Sequence, residues 1–163
     1  MTTSTSLLAL CSDLPVENVP TDQVLIAEGS EPTQMYVLRS GAVVIKRDNV
    51  AVARIDSPGA ILGEMSIVLG KPATATVVAE SDVTVHVVDD PETFLVERPG
   101  AALAILRTTA ARLDGLTQYL VDVKQQYAGM DGHMGMVDQI LDTLVHHQAS
   151  AARTGSVRDP DVG

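Results

Sequence analysis

Residues 63–79 read GEMSIVLGKPATATVVA. A glycine and a glutamate open a short apolar turn, Gly70-Lys71-Pro72 punctuates it, and a run rich in Thr and Val follows. A segment of this kind is built to wrap a small anion, because free N–H groups at a helix start point outward and glycine permits close approach. Yet the stretch holds no arginine, and Lys71 is its only cation.

On both sides of this stretch the chain alternates between turn signals and β-rich runs. The turns are EGSEP (28–32), RSG (39–41), RDN (47–49), DSPG (56–59), GKP (70–72), AESD (79–82) and DDP (89–91). Between them lie QVLIA, MYVLR, AVVIK, VAVARI, TATVVA and VTVHVV. Short strands at a spacing of about ten residues predict an antiparallel sandwich or barrel, here over roughly residues 20–90. VVIKRDNVAVARI reads as a hairpin, since Asp48 and Asn49 tolerate the left-handed backbone of a tight turn between twisted strands.

Beyond Pro91 the texture changes. From Pro99 to Tyr127, Leu106, Thr109, Leu113, Leu116, Leu120, Val123 and Tyr127 recur at alternating spacings of 3 and 4, a heptad seam on a helix. Gly115 within it costs about 1 kcal/mol relative to alanine, so packing must hold the helix. One reading lays the helix on its own β-domain. The favoured one pairs two copies as a coiled coil through Leu106, Leu113, Leu116, Leu120 and Val123, because a strict two-position seam is narrower than a core-facing stripe. AGMDGHMG (128–135) interrupts the period, MGMVDQILDTLVHH starts a second helix, and the segment from Ala149 to Gly163 has too little apolar content to be expected to order. The expected division is therefore 1–127 as the main domain, 128–148 as hinge and second helix, and 149–163 as a tail.

Bulk properties narrow the function. In 163 residues, 11 Lys and Arg face 21 Asp and Glu, a formal charge of −10, and the basic residues are scattered. That balance repels nucleic-acid phosphates, so no nucleic-acid partner is expected. With one Phe and three Tyr the core must be aliphatic. The single cysteine, Cys11, excludes an internal disulfide and fits a reducing cytosol. LLALC at 7–11 lacks the basic segment and small residue of an export signal, and no run approaches the roughly 20 apolar residues of a membrane span. A cytoplasmic protein with no membrane partner is expected.

No enzymatic pattern is present: GKP lacks the flanking residues of a phosphate-binding P-loop, and no nucleophile elbow occurs. The four histidines are dispersed and no metal site is expected; His133, beside the glycine break, is the one to watch as a haem ligand. Adjacent His146 and His147 diverge by about 100° on a helix.

The segments LIAEGSEP, MYVLRSGAVVIK and DSPGAILGEMSIVLGKPATATVVAESDVTVHVV, followed by a long helix, together resemble the cyclic-nucleotide-binding domain of catabolite-activator-type regulators, kinase regulatory subunits and gated channels. The likeness spans roughly residues 7–127 and rests on Glu28-Gly29, Tyr36-Val37, Gly41, Gly59, Gly63-Glu64, Pro72 and Ala75-Thr76-Val77 in order. It implies a jelly-roll β-barrel with C-terminal helices, the first a long dimerisation helix. It also implies a role without catalysis and with no required cofactor: a sensor of cAMP or cGMP that signals to a protein effector through helix rearrangement.

By the same resemblance Gly63, Glu64, Met65 and Ser66 supply backbone contacts and the ribose 2′-hydroxyl acceptor. Thr74 supplies a hydroxyl to the cyclic phosphate, Ala75 a backbone N–H, and Thr117 on the long helix an edge for the base. Glu64 as a cap of its own helix, and Thr74 and Thr117 as ordinary strand and helix residues, are the plain alternatives. One departure stands out: where nucleotide-binding relatives carry arginine after the proline, this chain has Ala73. A hydrogen bond to a charged group contributes about 1.5–3 kcal/mol, so its loss weakens binding by about 10- to 150-fold. Lys71, or a cation from elsewhere such as Arg54 or Arg112, is the available substitute. Three readings stay open: a cyclic nucleotide bound more weakly, a different ligand, or a retained fold without a ligand, acting as a dimeric interaction module. The resemblance also leads one to expect a helix-turn-helix reader after the second helix, for which the remaining residues are too few.

Overall fold

The computed structural model describes residues 6–128 and 134–153, with side chains for 6–128 and 135–144. The chain divides into two compact units, Met1–Arg107 and Thr108–Gly163.

The first unit holds eight strands: β1 (Val16–Val19), β2 (Val24–Ile26), β3 (Met35–Ser40), β4 (Val43–Arg47), β5 (Val50–Ile55), β6 (Ile61–Leu62), β7 (Thr76–Ala79) and β8 (Val83–Val88). They form two antiparallel four-stranded sheets, ordered β1-β8-β3-β6 and β2-β7-β4-β5. This is the β-roll that the spacing of turn signals predicts. Asp48 and Asn49 take φ of 49° and 65°, closing the β4–β5 hairpin as expected.

Strands β3 and β8 bury side chains on both faces because both faces are covered. Leu38, Val83, Val85 and Val87 join Val43, Leu62, Val77 and Ala79 between the sheets. Met35, Val37 and Val88 turn the other way, onto a second core of Cys11, Phe94, Ala101 and Ile105. His86 shares that outward face, and its Nδ1 lies 3.3 Å from the Leu14 carbonyl; since a carbonyl only accepts, Nδ1 is the donor. Cys11 is fully buried, and burial pushes its thiol pKa up.

Helices α1 (Leu7–Leu10) and α3 (Pro91–Glu97) supply the second core. Asp90 caps α3, accepting from the Thr93 N–H at 3.1 Å, with Pro91 at the first helical positions where its missing N–H is not needed. At the end of α3, Arg98 donates from both terminal nitrogens to Asp13 at 2.7 and 2.6 Å, and its guanidinium sits 5.2 Å from the Phe94 ring centre. That fork, together with a bond to the Leu10 carbonyl, ties the N-terminal segment to the start of the long helix.

Helix α4 runs Pro99–Gln126, close to the predicted span. At 28 residues it is about 42 Å long, and it passes through the division between the units instead of lying wholly with the barrel. Along its seam Leu106 and Leu116 are 63% and 48% exposed, Leu113 and Val123 are half-buried, and Leu120 is already 8% exposed in the single chain.

Helix α5 spans Met134–Arg153, five residues past the point where the tail was expected to begin. Ala149, Ala151 and Ala152 are strong helix formers, and low apolar content alone does not end a helix. Lys124 and Asp138 pair between α4 and α5. His133 lies outside the described residues, as do the side chains of His146 and His147. Among the described residues no three His, Cys, Asp or Glu side chains gather to hold a metal, and no helix is long and apolar enough to cross a membrane.

Candidate functional site

The opening stretch folds as strand β6, a glycine corner, the six-residue helix α2 (Glu64–Leu69), a loop and strand β7. Gly63 has φ +88°, and a Cβ there would stand 2.9 Å from Ile26 Cδ1. Only glycine meets both demands without strain. The helix ends at Gly70, where the Gly70 and Lys71 N–H groups bond back to Ile67 and Ser66 at 3.3 and 3.1 Å.

Within this cassette the predicted residues separate by burial. Glu64, at the first helical position, is buried, and so is Ser66. Met65 points out at 48% exposure, and Lys71 is exposed. Neither lines the hollow of about 100 Å³ that reaches Gly63, Ser66 and Ala73 from beneath the 25–34 segment. Thr74 and Ala75 are half-buried in the loop before β7, which starts at Thr76 rather than at the predicted Thr74. Thr117 belongs to the second unit, where its hydroxyl donates to the Leu113 carbonyl of its own helix at 2.9 Å. The structure thus gathers Gly63, Ser66 and Ala73 around one hollow at a corner of the roll, whereas Glu64, Thr74 and Ala75 lie beside them in the chain without lining it.

Ala73 sits where the family resemblance places arginine, and it is 7% exposed. Its N–H donates to the Ser30 carbonyl at 2.9 Å, and its carbonyl accepts from the Gly29 N–H at 2.7 Å. The Glu28-Gly29-Ser30 turn therefore clamps the cassette by its backbone. Glu28 continues the clamp: its N–H donates to Thr76 Oγ1 at 3.0 Å, and its carboxylate accepts from the Asp48 N–H at 3.1 Å. Arg54, one proposed replacement cation, is held by Glu80 at 2.5 Å and Asp56 at 2.6 Å. Arg112 lies in the second unit.

Sequence reasoning missed two partners of the cassette. Ile26 abuts Gly63, and Ser30 anchors Ala73. Nothing local marks either residue; the β2–β7 pairing that brings them in, with Ile26 opposite Val77, is a contact across about fifty residues.

The fold is thus a two-sheet roll with a glycine-opened helix between strands β6 and β7, followed by a long helix. Residues 16–94 match the cyclic nucleotide-binding domain family. No curated protein sequence matches the chain. Among solved structures it is similar to the catabolite activator protein of Thermus thermophilus, at 21% identity and TM-score 0.58, over 74% of this chain and 64% of that one. It is likewise similar to a cyclic nucleotide-binding domain from Methylobacillus flagellatus, at 23% identity and TM-score 0.60, over 71% of each chain. The regulatory domain of Toxoplasma gondii PKA, solved with cAMP, aligns at 17% identity and TM-score 0.56, over 67% of this chain and 46% of that one. At these identities the likeness is one of fold. The chain spans somewhat less than two thirds of the length of the catabolite activator it matches.

Proposed function

We propose that the chain is a non-enzymatic regulatory sensor whose cassette binds a cyclic mononucleotide, cAMP or cGMP, and passes the event to a protein partner through its helices. The observation that carries this reading is the buried Glu64 carboxyl at the start of α2, directly after the left-handed Gly63. The family resemblance gives a carboxyl at this place the role of accepting the ribose 2′-hydroxyl. The likeness to a domain solved with cAMP supports the same ligand class.

On this reading Gly63 lets the ribose approach, Glu64 selects it, and Thr74 and Ala75 donate to the cyclic phosphate. Met65 and Ser66 flank the contact through their backbone. The existing hollow of about 100 Å³ is smaller than the roughly 300 Å³ at which small-molecule pockets begin. Ligand entry therefore requires the cassette to open. That displacement is the signal, as a shift in population between two placements of the helices. Two copies pair through Leu106, Leu113, Leu116, Leu120 and Val123, with the exposed Leu106 and Leu116 making the new contact. The site of action is the cytoplasm.

A second reading, a ligand-free dimeric interaction module on the same fold, is favoured by one observation. Ala73 replaces the arginine, and Arg54 is already engaged by two carboxylates. Titration calorimetry with cAMP and cGMP separates the two. Saturable heat that Glu64→Gln weakens at least tenfold supports the sensor; no heat at millimolar nucleotide leaves the module.

A further inference from the structure

A second hollow lies away from the ribose acceptor. It is a groove of about 420 Å³ between the C-terminal half of α2 and the β8–α3 corner. Its volume falls in the range of about 300–1,000 Å³ typical of binding pockets. Its walls carry three carboxylates, Asp89, Asp90 and Glu92, beside the apolar surfaces of Ile67 and Pro91, and no basic side chain.

The carboxylates are differently engaged. Asp90 is held by α3, accepting from Thr93 N–H and Oγ1 at 3.1 and 2.8 Å, bonds that lower its pKa and keep it ionised. Asp89 accepts one hydrogen bond, from Gln34 Nε2 at 2.6 Å on Oδ1, which leaves Oδ2 available. Glu92 is exposed.

Acidic residues at a corner are usually a solvated surface; Ser66 distinguishes this one. Ser66 is 5% exposed, and its hydroxyl has no hydrogen-bond partner among the described residues. No fully enclosed side-chain oxygen or nitrogen in the described structure lacks a partner, so the Ser66 oxygen must reach open space. It stands in the wall shared by this groove and the hollow beside Gly63. Open to this space, the hydroxyl can hydrogen-bond an occupant of the groove.

We propose that this groove binds an arginine- or lysine-bearing segment of a partner protein, whose cationic head meets Asp89 and Glu92 while its methylene stem lies on Ile67 and Pro91. Ser66 accepts a further hydrogen bond from the same segment. Charge argues for the occupant: the groove is wholly acidic, and the chain's formal charge of −10 draws basic partners and repels acidic ones. Arginine suits the site because its stem buries along apolar surface while its planar head takes carboxylates two-pronged. The groove shares α2 with the cassette, so its occupant touches the element that a nucleotide would move. The proposal itself needs no nucleotide.

The test uses the full chain and a fluorescein-labelled decapeptide of alternating alanine and arginine, followed by fluorescence anisotropy at about 0.15 M salt. Saturable one-to-one binding is expected, weakened at least about tenfold in Asp89→Asn/Glu92→Gln and absent for a glutamine-for-arginine peptide. Cyclic-nucleotide titrations should be unchanged in that double variant, which keeps this result separate from the cassette reading. Equal affinity in the double variant, or an equal loss in Glu17→Gln/Glu97→Gln at other surface acids, would overturn the proposal. So would peptide binding that appears only once Arg153 and Arg158 are replaced by alanine, since the chain's own C-terminal segment would then be the occupant.

Discussion

The Ala73 N–H donates to the Ser30 carbonyl at 2.9 Å, so the position that bears arginine in nucleotide-binding relatives is fixed here by its backbone rather than by a side chain. The cassette keeps its shape without the guanidinium, and what is missing is charge. Ala73 borders the hollow that reaches Gly63, so a longer side chain at 73 starts at the edge of the site.

Ala73→Arg is therefore expected to strengthen cyclic-nucleotide binding by about 10- to 150-fold, the value of one hydrogen bond to a charged group. Calorimetry on the variant and the parent reads the ratio. An unchanged affinity would mean that the side chain at 73 does not face the phosphate.

Gly63→Ala should destabilise the first unit by about 1–2 kcal/mol, because an L-residue at φ +88° is strained. Its methyl would also press on Ile26 Cδ1 at 2.9 Å. Adding Ile26→Val removes that contact but not the strain, so urea denaturation should show only partial recovery in the double variant. Full recovery would place the whole cost in the contact.

The Arg98 fork lowers the Asp13 pKa from 3.8 to about 2, chiefly through the side-chain hydrogen bonds. A depressed carboxylate pKa contributes stability that is complete above the unfolded value and is lost as pH falls through the folded one. Thermal unfolding followed from pH 5 to about 2 should therefore show a decline below about pH 4. Asp13→Asn should be less stable at neutral pH and show a shallower decline. Asp82 and Asp90, lowered by bonds from Thr21 and Thr93, add to the same trend and keep the residual slope from vanishing.

Leu106→Glu/Leu116→Glu should turn a dimer into a monomer with little loss of monomer stability, because both residues are exposed in the single chain. Leu120→Ala, at 8% exposure, should instead lower stability by about 2–5 kcal/mol. Sedimentation equilibrium and denaturant melts read the two effects separately. A parent protein that sediments as a monomer at high concentration would remove the helix pairing.

Much of the roll was legible because its strands are separated by turn residues with a mechanism. Asp48-Asn49 took the left-handed backbone that the hairpin reading requires, and the run from Pro99 kept its helical period almost to Tyr127. Strand β1 was missed because VENV exposes all but Val19 and has no apolar alternation. Strand β6 is two residues long and gives no period. Helix α3 hid within the turn signal at Asp89-Asp90-Pro91, although aspartate before proline is also how a helix starts. At the site, the glycine corner could be read from the sequence itself, and the missing arginine from the family resemblance. The burial of Glu64 and Ser66 could not, since it depends on which strands meet, and neither could the grip of Ser30 on Ala73.

The central claim is that the corner opened by Gly63 is where a cyclic nucleotide binds, and backbone amide shifts test it most directly. In a ¹⁵N-labelled sample titrated with cAMP and then cGMP, the account predicts saturable shifts at Gly63, Glu64, Thr74 and Ala75 that are strongly reduced in Glu64→Gln. Amide positions at these four residues that stay fixed at millimolar nucleotide, or that move no more than those of the α5 helix, would contradict it.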